Sequence, residues 1–256
     1  MYIFVKQLII NLLENIMNRA YEMPGCQACF SRENSVFSAL SLEETHRLET
    51  EKSTNIFRHG QILFYEGNHP SGLFCIHKGK VKIYKTGLDG REHIVRLAKE
   101  GDIIGYRSLI GNEPYTSSAI ALEDSLVCFI PDFIFREYLS GCQKFPRRIM
   151  DLMYHDLKKA EIRNMELAQK PVRQRVAETI LMLGDFYGYA EDGRTINTTL
   201  TRIDLASLSG AATETTIRFL SDFRDEKLIE FDGKKIKILA PEELLKEAEL
   251  FNQHNT

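Results

Sequence analysis

Between Asn55 and Pro131 glycine punctuates the chain, most densely up to Gly111. Nine of its 16 glycines fall there, at Gly60, Gly67, Gly72, Gly79, Gly87, Gly90, Gly101, Gly105 and Gly111. The runs between them are short and apolar: "LFCIH" (73–77), "KVKIY" (80–84), "HIVRLA" (93–98) and "SLVCFI" (125–130). No long helix survives such punctuation, whereas short strands and tight turns need it. In "KVKIYK" Lys80 and Lys82 alternate with Val81 and Ile83, which predicts a strand with one wet and one buried face. "TGLDGRE" (86–92) reads as a hairpin turn, and many short strands at regular spacing predict an antiparallel barrel or jelly roll.

At Pro131 the pattern changes. Glycine thins out, and Phe145, Ile149, Leu152, Met153, Leu157 and Ala160 recur at steps of three and four, predicting an amphipathic helix over about 144–169. Its narrow apolar stripe suits a partner helix, and the alternative is a helix that caps its own barrel. A second helix is expected over 172–190, with Val172, Val176, Thr179, Ile180 and Leu183 on its apolar side.

The segment 199–239, "TLTRIDLASLSGAATETTIRFLSDFRDEKLIEFDGKKIKIL", carries the sharpest signal. Thr201 with Asp204 three residues on opens a short helix, Gly210 breaks it, and a second helix runs from Thr213 to about Glu226. "LIEFDGKKIKIL" follows as a hairpin turning at Asp232-Gly233. Helix, glycine turn, helix and two-stranded wing make a winged helix-turn-helix, whose second helix enters the major groove of DNA. Thr213, Glu214, Ile217 and Arg218 then share the reading face: Arg bonds bidentately to guanine and Glu accepts from cytosine. A surface ion pair between Glu214 and Arg218 is the plainer alternative. Ile203, Leu205, Leu208, Phe219, Leu220 and Phe223 are expected to form the small core.

The whole chain adds bounds. With 256 residues and 43% hydrophobic content, two domains are expected. A net charge of −3 gives no bulk support for a nucleic-acid binder, but leaves room for a local basic face. Five scattered cysteines fit a reducing cytoplasm better than a disulfide scaffold. "MYIFVKQLIINLLENIMNRAYEM" is interrupted by Lys6, Asn11 and Glu14, and fits neither a signal peptide nor a membrane span. Ile3, Leu8, Leu12 and Ile16 could line a short helix, or translation starts at Met17 or Met23; residues 1–22 receive no function. No nucleophile–base pattern or phosphate-binding P-loop is found, and His59, His69, His77 and His93 lack the spacing of a cupin metal site, so no enzyme is expected.

The order of parts resembles the CRP/FNR transcription regulators. The resemblance spans roughly 26–240 and rests on "GQILFYEGN" (60–68), "HKGKVKIY" (77–84), "GDIIGYRSLIG" (101–111) and the block from Thr201 to Phe223. It implies an α+β chain: a 1–25 extension, an N-terminal antiparallel β-roll (26–143) like a cyclic-nucleotide-binding jelly roll, a dimerisation helix (144–169), a winged helix-turn-helix (170–240) and a 241–256 tail. It implies a homodimer on double-stranded DNA, with no membrane association and with RNA polymerase as a partner if the protein activates. Glu214 and Arg218 would read a TGA-type core, Thr213 would tune neighbouring bases, and Thr201 and Arg202 would touch phosphates. Two recognition helices about 34 Å apart would favour a pseudo-palindrome. A signal would act through a hinge around Leu167–Pro171. A binding module acting on something other than DNA is the competing class, and the complete helix-turn-helix argues against it.

Two departures bear on the signal. Cyclic-nucleotide binders of the family carry an acid and an arginine in their phosphate cassette. Here Tyr106 holds the acid's place and Thr116, followed by Ser117, the arginine's, while Arg107 is out of register. Cyclic AMP is therefore not expected in the usual manner, although the cavity could take another ligand. The chain looks closer to the oxygen-sensing branch, where cysteines hold a [4Fe–4S] cluster: Cys26, Cys29 and Cys128 match three ligands, and Ser35 stands where the remaining cysteine belongs. Three readings stay open: a cluster completed by Glu33 or an exogenous ligand, a zinc or dithiol site, or a vestigial pair with Cys128 a buried strand residue. Cys75 is expected in the core, His77 at its rim, and Cys142 as a free thiol in a polar loop.

Overall fold

The structure is a computed structural model that describes residues 25–249 except 34, 88, 89 and 91, without the side chains of 30 and 31. The unassigned segment 1–22 lies outside the described residues. The roll is built from β1 (Ser53–Phe57), β2 (Ile62–Phe64), β3 (Gly72–Lys78), β4 (Val81–Thr86), β5 (Glu92–Ala98), β6 (Ile103–Ile104), β7 (Ser118–Ala121) and β8 (Ser125–Pro131). They form two four-stranded sheets, ordered β1-β8-β3-β6 and β2-β7-β4-β5, with every pairing antiparallel.

The period-2 alternation decides which side chains meet. Phe74, Ile76, Val81, Ile83, Ile104 and Val127 fill the space between the sheets with Phe64 and Tyr115, whose rings stack at 4.1 Å. The outer face of the first sheet presents Leu73, Cys75, Cys128 and Ile130 to a second core. That core is covered by turns at Cys26–Ala28 and Val36–Ala39, by α2 (Leu42–Glu51) and α4 (Asp132–Gly141), and by the start of α5 (Phe145–Gln169). Two short helices, α1 (Phe30–Glu33) and α3 (Tyr106–Gly111), complete this half.

The outer face of the second sheet is where the sequence misleads. Lys80 and Lys82 do not face water; they face the C-terminal domain. That domain comprises α6 (Val172–Tyr187), α7 (Arg202–Ser209), α8 (Thr213–Asp225), the wing strands β9 (Ile229–Asp232) and β10 (Lys235–Ile238), and α9 (Pro241–Glu249). Lys82 Nζ meets Asp204 at 2.7 Å and Glu92 at 2.8 Å. Lys80 reaches Glu123 at 3.2 Å and donates to the Asn197 carbonyl. The Ile94 N–H donates to Ser207 Oγ, and Tyr84, Ile94, Leu97 and Leu122 join the core of the C-terminal domain. Alternation alone marks a strand face as polar; it does not say whether water or another domain satisfies it. Within 241–256, residues Pro241–Glu249 form a helix packed on α6, with Leu244 fully buried.

Candidate nucleic-acid interface and sensory site

The reading helix is positioned from below. Thr201 and Asp204 form a capping box at the start of α7: the Thr201 hydroxyl accepts from the Asp204 N–H, and the Thr201 N–H donates to Asp204 Oδ2 at 3.0 Å. Gly210 ends α7 at φ 62, in the left-handed region, and a Cβ there would lie 2.2 Å from Leu167 Cδ2. The turn between the two helices therefore packs directly on the expected hinge. Arg175 straps the two together, donating to the Leu167 carbonyl at 2.7 Å and the Gly210 carbonyl at 3.1 Å.

On α8, Thr216, Leu220 and Phe223 recur at i, i+4, i+7 and are buried against the domain core. The helical period puts Glu214, Ile217 and Arg218 on the other side, where all three are exposed, with Thr213 half-buried beside them. Among the described residues Glu214 and Arg218 form no ion pair; the Arg218 guanidinium lies 4.9 Å from the Phe219 ring centroid. Arg202 stacks at 4.0 Å over Phe231 of the wing, tying the start of α7 to β9. Thr201 has both donors on Asp204, which leaves Arg202 as the cation at this end of α7. Ile203, expected in the core, is 62% exposed instead, and at the first turn of α7 it lies outside the face that Leu205 and Leu208 bury. Lys234 is exposed in the wing turn.

The four effector candidates Tyr106, Arg107, Thr116 and Ser117 line one cavity of about 30 Å³, with Phe64, Arg96 and Tyr115. Tyr106 is buried and donates to Asp156 Oδ2 of α5 at 2.8 Å; Arg96 reaches the same oxygen at 3.1 Å. Burial, and then the Asp156 carboxylate, push the Tyr106 hydroxyl well above the usual tyrosine range, so it stays a donor. Arg107 is exposed.

Cys26, Cys75 and Cys128 lie in the core under the N-terminal segment, and Cys29 Sγ stands 3.2 Å from His77 Nδ1 at its rim. Cys142 is a free thiol in the polar loop between α4 and α5, as expected, but its side chain turns inward. It is buried in the same core beside Glu44, and burial pushes its thiol up to about 12.

A model of the cyclic nucleotide-binding domain matches residues 54–141, and one of the Crp-like helix-turn-helix domain matches 174–247. The fumarate and nitrate reduction regulatory protein of Vibrio cholerae is 30% identical over 223 residues, covering 86% of this chain and 88% of that protein. The chain belongs to the CRP/FNR family. The protein of the same description from Yersinia pestis is 32% identical, over 83% of this chain and 86% of its own. In fold, the chain resembles FixK2 from Bradyrhizobium japonicum, with a TM-score of 0.68 and 21% identity over 76% of this chain and 96% of that one.

As a CRP/FNR regulator it is a sequence-specific DNA-binding transcription regulator with a sensing domain of the cyclic-nucleotide-binding type. The cavity nevertheless does not fit a cyclic nucleotide. It has room for a water or two, against several hundred Å³ for a small-ligand site. Of the lining cations, Arg96 is engaged by Asp156 and Arg107 faces out. The Tyr106–Asp156 bond instead ties roll to helix without a ligand. Tyr106→Phe, which removes only this bond to a charged acceptor, is expected to lower stability by about 1.5–3 kcal/mol. Urea unfolding checks this, and an unchanged midpoint would show that the bond contributes nothing.

Proposed function

We propose that this CRP/FNR regulator acts as a cytoplasmic homodimer that reads a pseudo-palindromic, TGA-containing site. Arg218 and Glu214 contact the core bases, with Ile217 and Thr213 beside them, and Arg202 holds phosphates. The observation that carries this reading is the open face of α8, where Glu214, Ile217 and Arg218 meet solvent. The dimer reading is supported by α5. Its first turns are buried in the roll through Phe145 and Ile149, while Met150, Met153, Tyr154, Leu157, Ile162 and Met165 stay exposed, Leu157 at 61%. An apolar stripe of that length on one helix suits the same stripe of a second copy. No described helix is long and apolar enough to cross a membrane. RNA polymerase is the further partner where the protein activates. Signals received in the roll move the hinge at Leu167–Pro171, which Arg175 already links to the helix-turn-helix.

Met153→Glu/Leu157→Glu places two charges on the stripe. Sedimentation should then give a monomer at concentrations where the parent is a dimer. Affinity for a duplex with two half-sites should fall on the order of 10²-fold or more, because the second contact is no longer intramolecular. A double variant that stays dimeric would put the interface elsewhere.

A further inference from the structure

Antiparallel register sets Cys75 of β3 directly opposite Cys128 of β8. Alternation turns both away from the roll interior, into the core that also holds Cys26. Cys29 reaches the same sheet face two residues along β3, at His77. Four of the five cysteines, separated by up to 102 positions (26 to 128), thus meet under one cover. Beside them Lys52 Nζ stands 3.7 Å and Thr54 Oγ1 3.5 Å from Cys128 Sγ.

Neither alternative fourth ligand is placed to serve. Ser35 is buried as the cap of the Val36–Ala39 turn, accepting from the Phe37 N–H at 3.2 Å and donating to the Arg32 carbonyl at 2.9 Å. Glu33 is exposed. We propose that Cys75 is the fourth thiolate of an iron–sulfur cluster held with Cys26, Cys29 and Cys128, in place of the cysteine missing at Ser35. The inference rests on the reading of the roll as the sensory half, and extends it to a ligand.

The chemistry of the donor set fits. Four thiolates complete the coordination of a cubane's irons, and the excess negative charge needs a nearby cation and donors. Lys52 and Thr54 are the groups in position to supply them. Among the described residues no three ligand-type side chains converge closely enough for one metal ion. A cluster carries each thiolate on a separate iron, and so suits thiols spread over two strands and a turn. When bound, it would supply a redox-active, oxygen-sensitive centre; the chain's part is to hold it, shield it and balance its charge.

The test is anaerobic reconstitution of the full chain with ferrous iron and sulfide, followed by iron and acid-labile sulfide analysis and visible absorption. The parent and Cys142→Ser are expected to take up about four irons and four sulfides per chain. Cys75→Ala and Cys75→Ser should retain less than half of that, while their metal-free forms keep the parent's circular dichroism. Mössbauer spectra of the iron-57 parent should show all irons with thiolate ligation, a readout that does not depend on any variant folding. Full cluster content in Cys75→Ala, an iron lacking thiolate in the parent, or a parent that takes up no sulfide would each overturn the proposal. None of these readouts involves DNA, so failure here leaves the DNA-reading assignment standing. A chain that holds the cluster but binds no duplex fails that assignment instead.

Discussion

Arg218→Ala is expected to weaken sequence preference sharply while leaving the fold intact. The side chain is exposed on α8, with no carboxylate partner among the described residues, so its removal leaves no buried group unsatisfied. Its loss should be felt on DNA alone. A bidentate contact to guanine contributes about 1–3 kcal/mol of discrimination, and a two-fold dimer makes it twice. Affinity for a palindromic TGA-containing duplex should therefore fall by about 2–6 kcal/mol, on the order of 10²–10⁴-fold. Binding to a scrambled duplex should stay near the parent value, because phosphate contacts carry it. Equal losses on both duplexes would make Arg218 a phosphate ligand. No loss on either would remove it from the interface.

Phe145→Ala should be the most damaging single change to the roll. The ring is fully buried where α5 begins, with centroids 5.6 Å from Phe37, 6.0 Å from Phe135 and 5.7 Å from Tyr138. It therefore joins three elements: the N-terminal cover of the cysteines, α4 and the long helix. Truncating a buried phenylalanine costs about 3–5 kcal/mol from lost transfer energy and the cavity left behind. Against a total stability of about 5–15 kcal/mol this is a large share. The urea midpoint should drop accordingly with the slope unchanged. A loss under about 1 kcal/mol would mean that the neighbouring rings collapse into the space, and that the cover is not fixed through this residue.

The parts of this molecule legible in the sequence are those set by short-range chemistry. Glycine spacing marks the roll, the 3.6 period marks α5, and Thr201, Asp204 and Gly210 mark the helix-turn-helix before any coordinates are seen. The misread positions are those whose partners lie far along the chain. Lys80 and Lys82 look like solvent residues until Asn197 and Asp204 are brought beside them, 117 and 122 positions away. Cys75 reads as a core strand residue and is one; what only the register adds is its place against Cys128. Ile203 fails for a local reason: in a helix of eight residues, a shift of one position moves a side chain from core to surface.

The Lys82–Asp204 contact bears on how such a regulator can be recombined. Asp204 caps the first helix of the DNA reader and also receives the roll's ammonium, with both side chains about nine-tenths buried. Burial alone would raise the Asp204 carboxyl, yet Lys82 and Thr201 hold it below the usual carboxylate range. A chimera that joins this DNA reader to another roll would enclose that carboxylate without its cation, unless the new roll offers a lysine at the same strand position. The two halves are thus not interchangeable cassettes: a graft must carry both members of this charge pair or neither, together with the apolar contacts around it.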